Sequence, residues 1–316
     1  MRISRTRTAT GLVISALALG TLPAWAAPAE TVAPTAPRHA SHAPAHQAAH
    51  HAADTVRHIP LQGAVNVRDV GGYRTYDGER VAYGRVFRAD ALGKLTDADL
   101  GTLAGLGLKK VIDFRVAAEV QYDGADRLPA GASPVSRPIT DNGLFTQLLT
   151  AIGSKDPVKQ EEMLGNGRAA AFMREVYRTF VTDSVNRAQF AATLRDIADS
   201  RSPLLYHCTA GKDRTGWTTY LLLRLVGVPD RTAVGDYLAS NTYRAAYDAR
   251  LREALKQGGF MQNPDLIIPL QEVRTDYLGT ALDEAAKRYG GLQGYLTKGL
   301  GLDAGTILKL RESLVG

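Results

Sequence analysis

Between Leu204 and Leu225 a short apolar run, a glycine-bearing loop and a longer apolar run follow one another, and the loop holds the only cysteine of the 316-residue chain. The first run, Leu204-Leu205-Tyr206, reads as a strand. The second, Thr215 to Leu225, reads as a helix closed by Gly227 and Pro229. Upstream, Val86-Phe87 reads as a strand. Thr96 is a good N-cap, with Asp97 and Asp99 in the first turn and Leu100, Leu103, Ala104 and Leu106 behind it. Gly107 is expected to end that helix, and Lys110 to Phe114 to form the next strand. Strand, helix, strand in that order predicts an α/β sheet whose ligand site lies at the C-terminal ends of its strands.

The remaining folded chain fits this frame. Asp77-Gly78, between Tyr73-Arg74-Thr75-Tyr76 and Glu79-Arg80-Val81, predicts a hairpin. Leu144 to Val181 reads as helical, with Phe172, Met173, Val176 and Phe180 on one apolar face, and Asn186 to Ala198 as another helix. Further helices are expected to the C-terminus, interrupted at Gly258-Gly259, Pro264 and Gly290-Gly291.

The N-terminus reads as an export leader. Arg2, Arg5 and Arg7 precede a short apolar stretch, Gly11 to Leu22, and Ala24-Trp25-Ala26 is a small-x-small site predicting a cut after Ala26. A stretch this short falls well below the roughly 20 residues of a membrane-spanning helix, so no stable membrane insertion is expected. Residues 27–56, rich in Ala, Pro, His and Thr, lack the large apolar residues needed to order a chain and are expected to be a linker. Its histidines His39, His42, His46, His50 and His51 fit low complexity better than a metal site. The expected organisation is a leader over 1–26, a linker over 27–56 and one folded domain over 57–316, to which the chemistry below belongs. The net charge of +6 includes the three leader arginines, and the basic residues are scattered, so no nucleic-acid footprint is read. A single cysteine excludes an intramolecular disulfide, and a lone thiol in an exported chain asks for a chemical reason.

The loop supplies one. It runs Tyr206-His207-Cys208-Thr209-Ala210-Gly211-Lys212-Asp213-Arg214-Thr215-Gly216, with five residues between Cys208 and Arg214. That spacing lets the backbone wrap a tetrahedral oxyanion, with N–H groups pointing inward at a helix N-terminus. Thr209, Ala210, Gly211 and Lys212 are then the substrate-binding stretch, Gly211 permitting close approach and Lys212 adding positive potential. Arg214 grips two oxygens through its planar fork. Such surroundings lower a thiol from ~8.5 to about 3.5–7.5, leaving Cys208 as a thiolate nucleophile. His207 orients the loop rather than acting as a base, and Thr215 donates its hydroxyl to the departing thiolate.

This string resembles the His-Cys-x5-Arg-Ser/Thr signature of the cysteine-dependent protein tyrosine and dual-specificity phosphatases, and more specifically a bacterial branch of that family. Further stretches match in order: Asn66-Val67-Arg68-Asp69-Val70-Gly71-Gly72, Arg85-Val86-Phe87-Arg88-Ala89, Leu95-Thr96-Asp97, Asp113-Phe114-Arg115, and Asp236 to Asn241. Val67, Ala89 and Phe114 depart from the usual Phe, Ser and Leu without touching Cys208 or Arg214. The resemblance implies a mostly parallel four- or five-stranded sheet flanked by helices, with a helical lid drawn from Leu144–Val181 and Pro229–Arg288. It also implies a phosphocysteine intermediate without cofactor or metal, and substrates among phosphotyrosine, phosphoserine or phosphothreonine proteins and phosphoinositides.

A general acid is needed to protonate the leaving oxygen. Asp113, in the family's Asp-x-Arg stretch, is the first choice, with an ion pair to Arg115 or Arg88 as its alternative role. Asp213, inside the loop, is the second choice. A cysteine protease would need a histidine apart from the nucleophile, yet outside the linker the chain has only His58 and His207. An arsenate reductase needs further cysteines, and a sulfurtransferase loop usually lacks the Gly-Lys-Asp-Arg-Thr-Gly tail. A phytase-like phosphatase of inositol polyphosphates is a rival for substrate only. A phospho-ligand-binding pseudo-enzyme is disfavoured by retention of Cys208 and Arg214. Oligomeric state is not legible.

Overall fold

The computed structural model describes residues 57–316; the expected leader and linker lie outside the described residues. The chain begins with two-residue strands β1 (Arg57–His58) and β2 (Arg68–Asp69), then the expected hairpin, closed by an antiparallel bridge between Arg74 and Arg80. Strand β3 (Val86–Ala89) leads to α1 (Asp97–Ala104), whose N-cap Thr96 forms the reciprocal pair with Asp99. That helix stops earlier than expected, at Gly105, and Gly107 instead takes a left-handed turn beyond it. Strand β4 (Lys110–Asp113), helix α2 (Ala117–Asp123) and strand β5 (Ser133–Ser136) follow.

The single helical stretch expected over 144–181 is three helices, α3 (Leu144–Ser154), α4 (Pro157–Leu164) and α5 (Arg168–Thr182). Lys155 at positive φ and Pro157 at the start of α4 divide the first two. Asn166 and Gly167 at positive φ divide the next. Helix α6 (Ser184–Asp199) then leads to β6 (Leu204–His207), α7 (Arg214–Leu225) and the long α8 (Asp230–Gln257). Pro264 opens a 3-10 turn before α9 (Ile268–Gln271), α10 (Thr275–Tyr289) and α11 (Leu292–Gly294), and α12 (Ala304–Leu314) ends the chain. No helix among the described residues is long and apolar enough to cross a membrane.

The sheet order is β1-β2-β3-β6-β4-β5. Strands β3, β6, β4 and β5 are parallel, as expected, while β1 and β2 add an antiparallel edge that makes six strands rather than four or five. Alternating side chains serve both faces. Val86, Ile112, Leu204 and Tyr206 enter the large core under α5, α6, α7 and α10. Phe87, Val111 and Leu205 enter a smaller core with Leu95, Leu103 and Leu108. Registry sets Ala89, His207 and Asp113 side by side at the C-terminal rim, immediately before Cys208.

Candidate active site

The loop after β6 is tied by its carbonyls. Nδ1 of His207 lies 3.3 Å from the Cys208 oxygen, and the Ala91 amide donates to the Thr209 oxygen at 3.1 Å. Asn66 Nδ2 donates to the oxygens of both Ala210 and Gly211 at 3.0 Å, and Arg88 Nη2 donates to Gly211 at 2.7 Å. By contrast, the amides of Thr209 to Asp213 donate to no protein group among the described residues. Carbonyls held and amides left over make a backbone nest for an anion at the start of α7. Gly211 has φ +65°, and a Cβ there would sit 2.4 Å from the Ala89 oxygen, so the loop can lie this close to β3 only with glycine.

Cys208 is 2% exposed at the base of the loop. Arg214 is buried beside it. Its Nη1 donates to the oxygens of Phe114 at 3.0 Å and Ile139 at 3.2 Å, and to Glu119 Oε2 at 2.7 Å, while Nη2 donates to Glu119 Oε1. Among the described residues nothing accepts from Nε, so the Nε–Nη2 edge is the one left for a ligand. Burial works against charge on Arg214, but Glu119 and then the neighbouring Cys208 outweigh it and hold the guanidinium above its ordinary value. Glu119 also accepts from the Thr209 hydroxyl and from the Val116 amide. Burial pushes its carboxyl up, yet Arg214 and these hydrogen bonds bring it below the usual range. The Thr215 hydroxyl, next in the chain, is buried with no hydrogen-bond partner among the described residues. An orphan buried hydroxyl costs stability and asks for a functional explanation.

His207, fully buried, sets Nε2 2.9 Å from Asp126 Oδ2 and 3.8 Å from Asp113 Oδ1. Burial opposes its charge, but Asp126 and Asp113 prevail and raise it above its ordinary value. The ligand atoms of Asp113, Asp126 and His207 lie within 4.8 Å of one another, spacing that could hold a metal. The counter-charge there is Arg115, whose Nη2 lies 2.9 Å from Asp113 and 2.7 Å from Asp126. Asp113 takes the ion-pair role: Oδ1 accepts the Arg115 amide at 2.8 Å, and both oxygens face the guanidinium.

Asp213 has different surroundings. It precedes α7 without capping it. One oxygen accepts from the Tyr177 hydroxyl at 2.9 Å and the other from Lys212 Nζ at 2.7 Å. Lys212 is buried rather than solvated, and reaches the Glu272 oxygen at 3.4 Å. Thus α5, through Tyr177, and the segment before α10, through Glu272, both border the loop, from within the two stretches expected to form a lid.

Every residue expected in the loop is therefore gathered at one strand end, with Asp113 behind it in an ion-pair cluster. Sequence reasoning missed Glu119, Asp126 and Tyr177. Helix α2 offered little signal: its N-cap is Val116, without the polar side chain that usually marks a helix start.

The comparisons agree with this geometry. A family model described as "Tyrosine phosphatase family" matches residues 59–316. The triple specificity protein phosphatase PtpB of Mycobacterium tuberculosis is 32% identical over 282 residues, covering 83% of this chain and 99% of that protein. A tyrosine-protein phosphatase of Nostoc commune is 31% identical over 232 residues, covering 72% of this chain and 73% of that protein. The chain is a phosphatase and belongs to the tyrosine phosphatase family.

Proposed function

We propose that the chain is an exported phosphatase that hydrolyses phosphate monoesters through a phosphocysteine on Cys208. The observation that carries this is the loop itself, whose carbonyls are tied back and whose amides are left over, around a buried cysteine and a guanidinium with one free edge. The amides and the Nε–Nη2 edge of Arg214 bind the three non-bridging oxygens and stabilise their charge as the phosphoryl group transfers. The Cys208 thiolate attacks phosphorus, the bond from phosphorus to the ester oxygen breaks, and that oxygen takes a proton. Water then attacks phosphorus and gives its proton to the carboxylate that served as acid in the first step, the P–S bond breaks, and the Thr215 hydroxyl donates a hydrogen bond to the returning thiolate as inorganic phosphate leaves.

Asp213 is the proton donor on this reading, ahead of Asp113. Three hydrogen bonds from the Arg115 guanidinium occupy both carboxylate oxygens of Asp113. Asp213 lies in the loop itself, with one oxygen on the Tyr177 hydroxyl and the other on Lys212 Nζ. His207 and Lys212 position the loop, the former through the Cys208 carbonyl and the latter through Asp213. The substrates are phosphotyrosine proteins, extending to phosphoserine, phosphothreonine and phosphoinositides; a relative named a triple specificity protein phosphatase supports a range wider than a single class. Export rests on the basic, apolar, small-x-small order of the first 26 residues.

The test is hydrolysis of p-nitrophenyl phosphate. Cys208→Ser is expected to abolish turnover with folding intact, vanadate to inhibit, and chelators to have no effect. Activity that survives Cys208→Ser but not chelation would overturn the reading.

A further inference from the structure

Three matched stretches supply no reacting group to the chemistry above, yet they meet at the outer wall of the loop: Asn66–Gly72, Arg85–Ala89 and Asp236–Asn241. Asn66, fully buried, uses one amide nitrogen to reach two successive carbonyls, of Ala210 and Gly211, at 3.0 Å each. Arg88, also fully buried, donates to Gly211 at 2.7 Å, and Arg244 donates to Ala210 at 3.3 Å. Behind them stands Asp236, 1% exposed. It receives Arg68 Nε at 3.0 Å, the Tyr73 hydroxyl at 3.0 Å and Arg88 Nη1. Arg68 closes the circuit by donating to Asn66 Oδ1 at 2.6 Å.

Peptide planarity turns this into a statement about the site. In a trans peptide the carbonyl of one residue and the amide of the next point in opposite directions. Holding the oxygens of Ala210 and Gly211 outward therefore aims the amides of Gly211 and Lys212 inward. We infer that Asn66 and Arg88, keyed by Asp236, are positioning residues that orient these two amides toward the substrate's phosphoryl oxygens. The inference rests on the loop being the phosphate site.

Asn66→Asp is the sharpest test. It preserves shape and the acceptor facing Arg68, but replaces the two-carbonyl donor with an oxygen. Vanadate affinity, measured by inhibition, is expected to fall about tenfold or more, as for loss of a buried hydrogen-bonding donor. The pH midpoint for alkylation of Cys208 by iodoacetamide is expected to rise, because fewer amides face the thiolate. A purely structural residue would alter thermal stability without moving that midpoint. Should the Asp variant not fold, Asn66→Ala removes the donor without adding charge, and the same two shifts are expected in smaller degree. A folded variant with wild-type vanadate inhibition and an unchanged alkylation midpoint would overturn the inference. Wild-type chain that fails to bind vanadate would instead sink the phosphatase reading itself.

Discussion

Glu119 holds Arg214 across its two terminal nitrogens, and so decides which edge of the guanidinium faces the loop. The pair joins α2 to the start of α7 and is almost completely buried. Glu119→Gln keeps the shape but loses the charge, and is expected to lower kcat/KM for an aryl phosphate about ten- to a hundredfold. Glu119→Ala leaves a buried guanidinium unpaired and is expected to destabilise the fold by ~3–5 kcal/mol in urea unfolding. Wild-type kcat/KM in a folded Glu119→Gln chain would show that Arg214 needs no clamp.

The two acid candidates separate by leaving group. Asp213→Asn is expected to slow alkyl phosphates far more than p-nitrophenyl phosphate, whose leaving group departs without a proton. Asp113→Asn breaks the Arg115 cluster, so its expected effect is lost stability with an unchanged leaving-group dependence. The reverse pattern would return the role to Asp113.

The His207–Asp126 pair sets a pH dependence whose sign follows from the two shifts. His207 is raised above its ordinary value, with burial opposing and Asp126 and Asp113 prevailing. Its contribution is therefore complete below about pH 6.5 and is lost as pH rises through the folded value. Asp126 is lowered, as burial is outweighed by His207 and Arg115, so its contribution is lost as pH falls through the folded value. Resistance of the wild type to urea is expected to fall as pH rises above about 6.5, and His207→Gln to flatten that limb. An alkaline limb of equal slope in the variant would assign it to another group.

The core of the site was legible because a strand, a loop and a helix contiguous in sequence build it. Apolar runs flank it, and Cys208, Gly211 and Arg214 each have one obvious chemical use. What escaped came from residues that act at long sequence range from weakly marked elements. Glu119 sits on the seven-residue α2, and β5 reads Ser-Pro-Val-Ser, which has no strand pattern because it lies at the sheet edge with largely exposed side chains. Asn66 and Asp236 stood out as matched positions, but their work concerns carbonyls some 145 and 25 residues away, which no local periodicity reveals. Asp113 was visible and ambiguous, because a carboxylate two residues from an arginine fits both an acid and an ion pair.

The proposed phosphocysteine on Cys208 is open to direct observation. Thr215→Ala removes the unpartnered hydroxyl and should slow breakdown of the intermediate, so acid quenching during turnover of p-nitrophenyl phosphate followed by mass spectrometry should find one phosphoryl group on the peptide containing Cys208. Steady release of inorganic phosphate from that variant, with Cys208 unmodified at every quench time, would contradict the account.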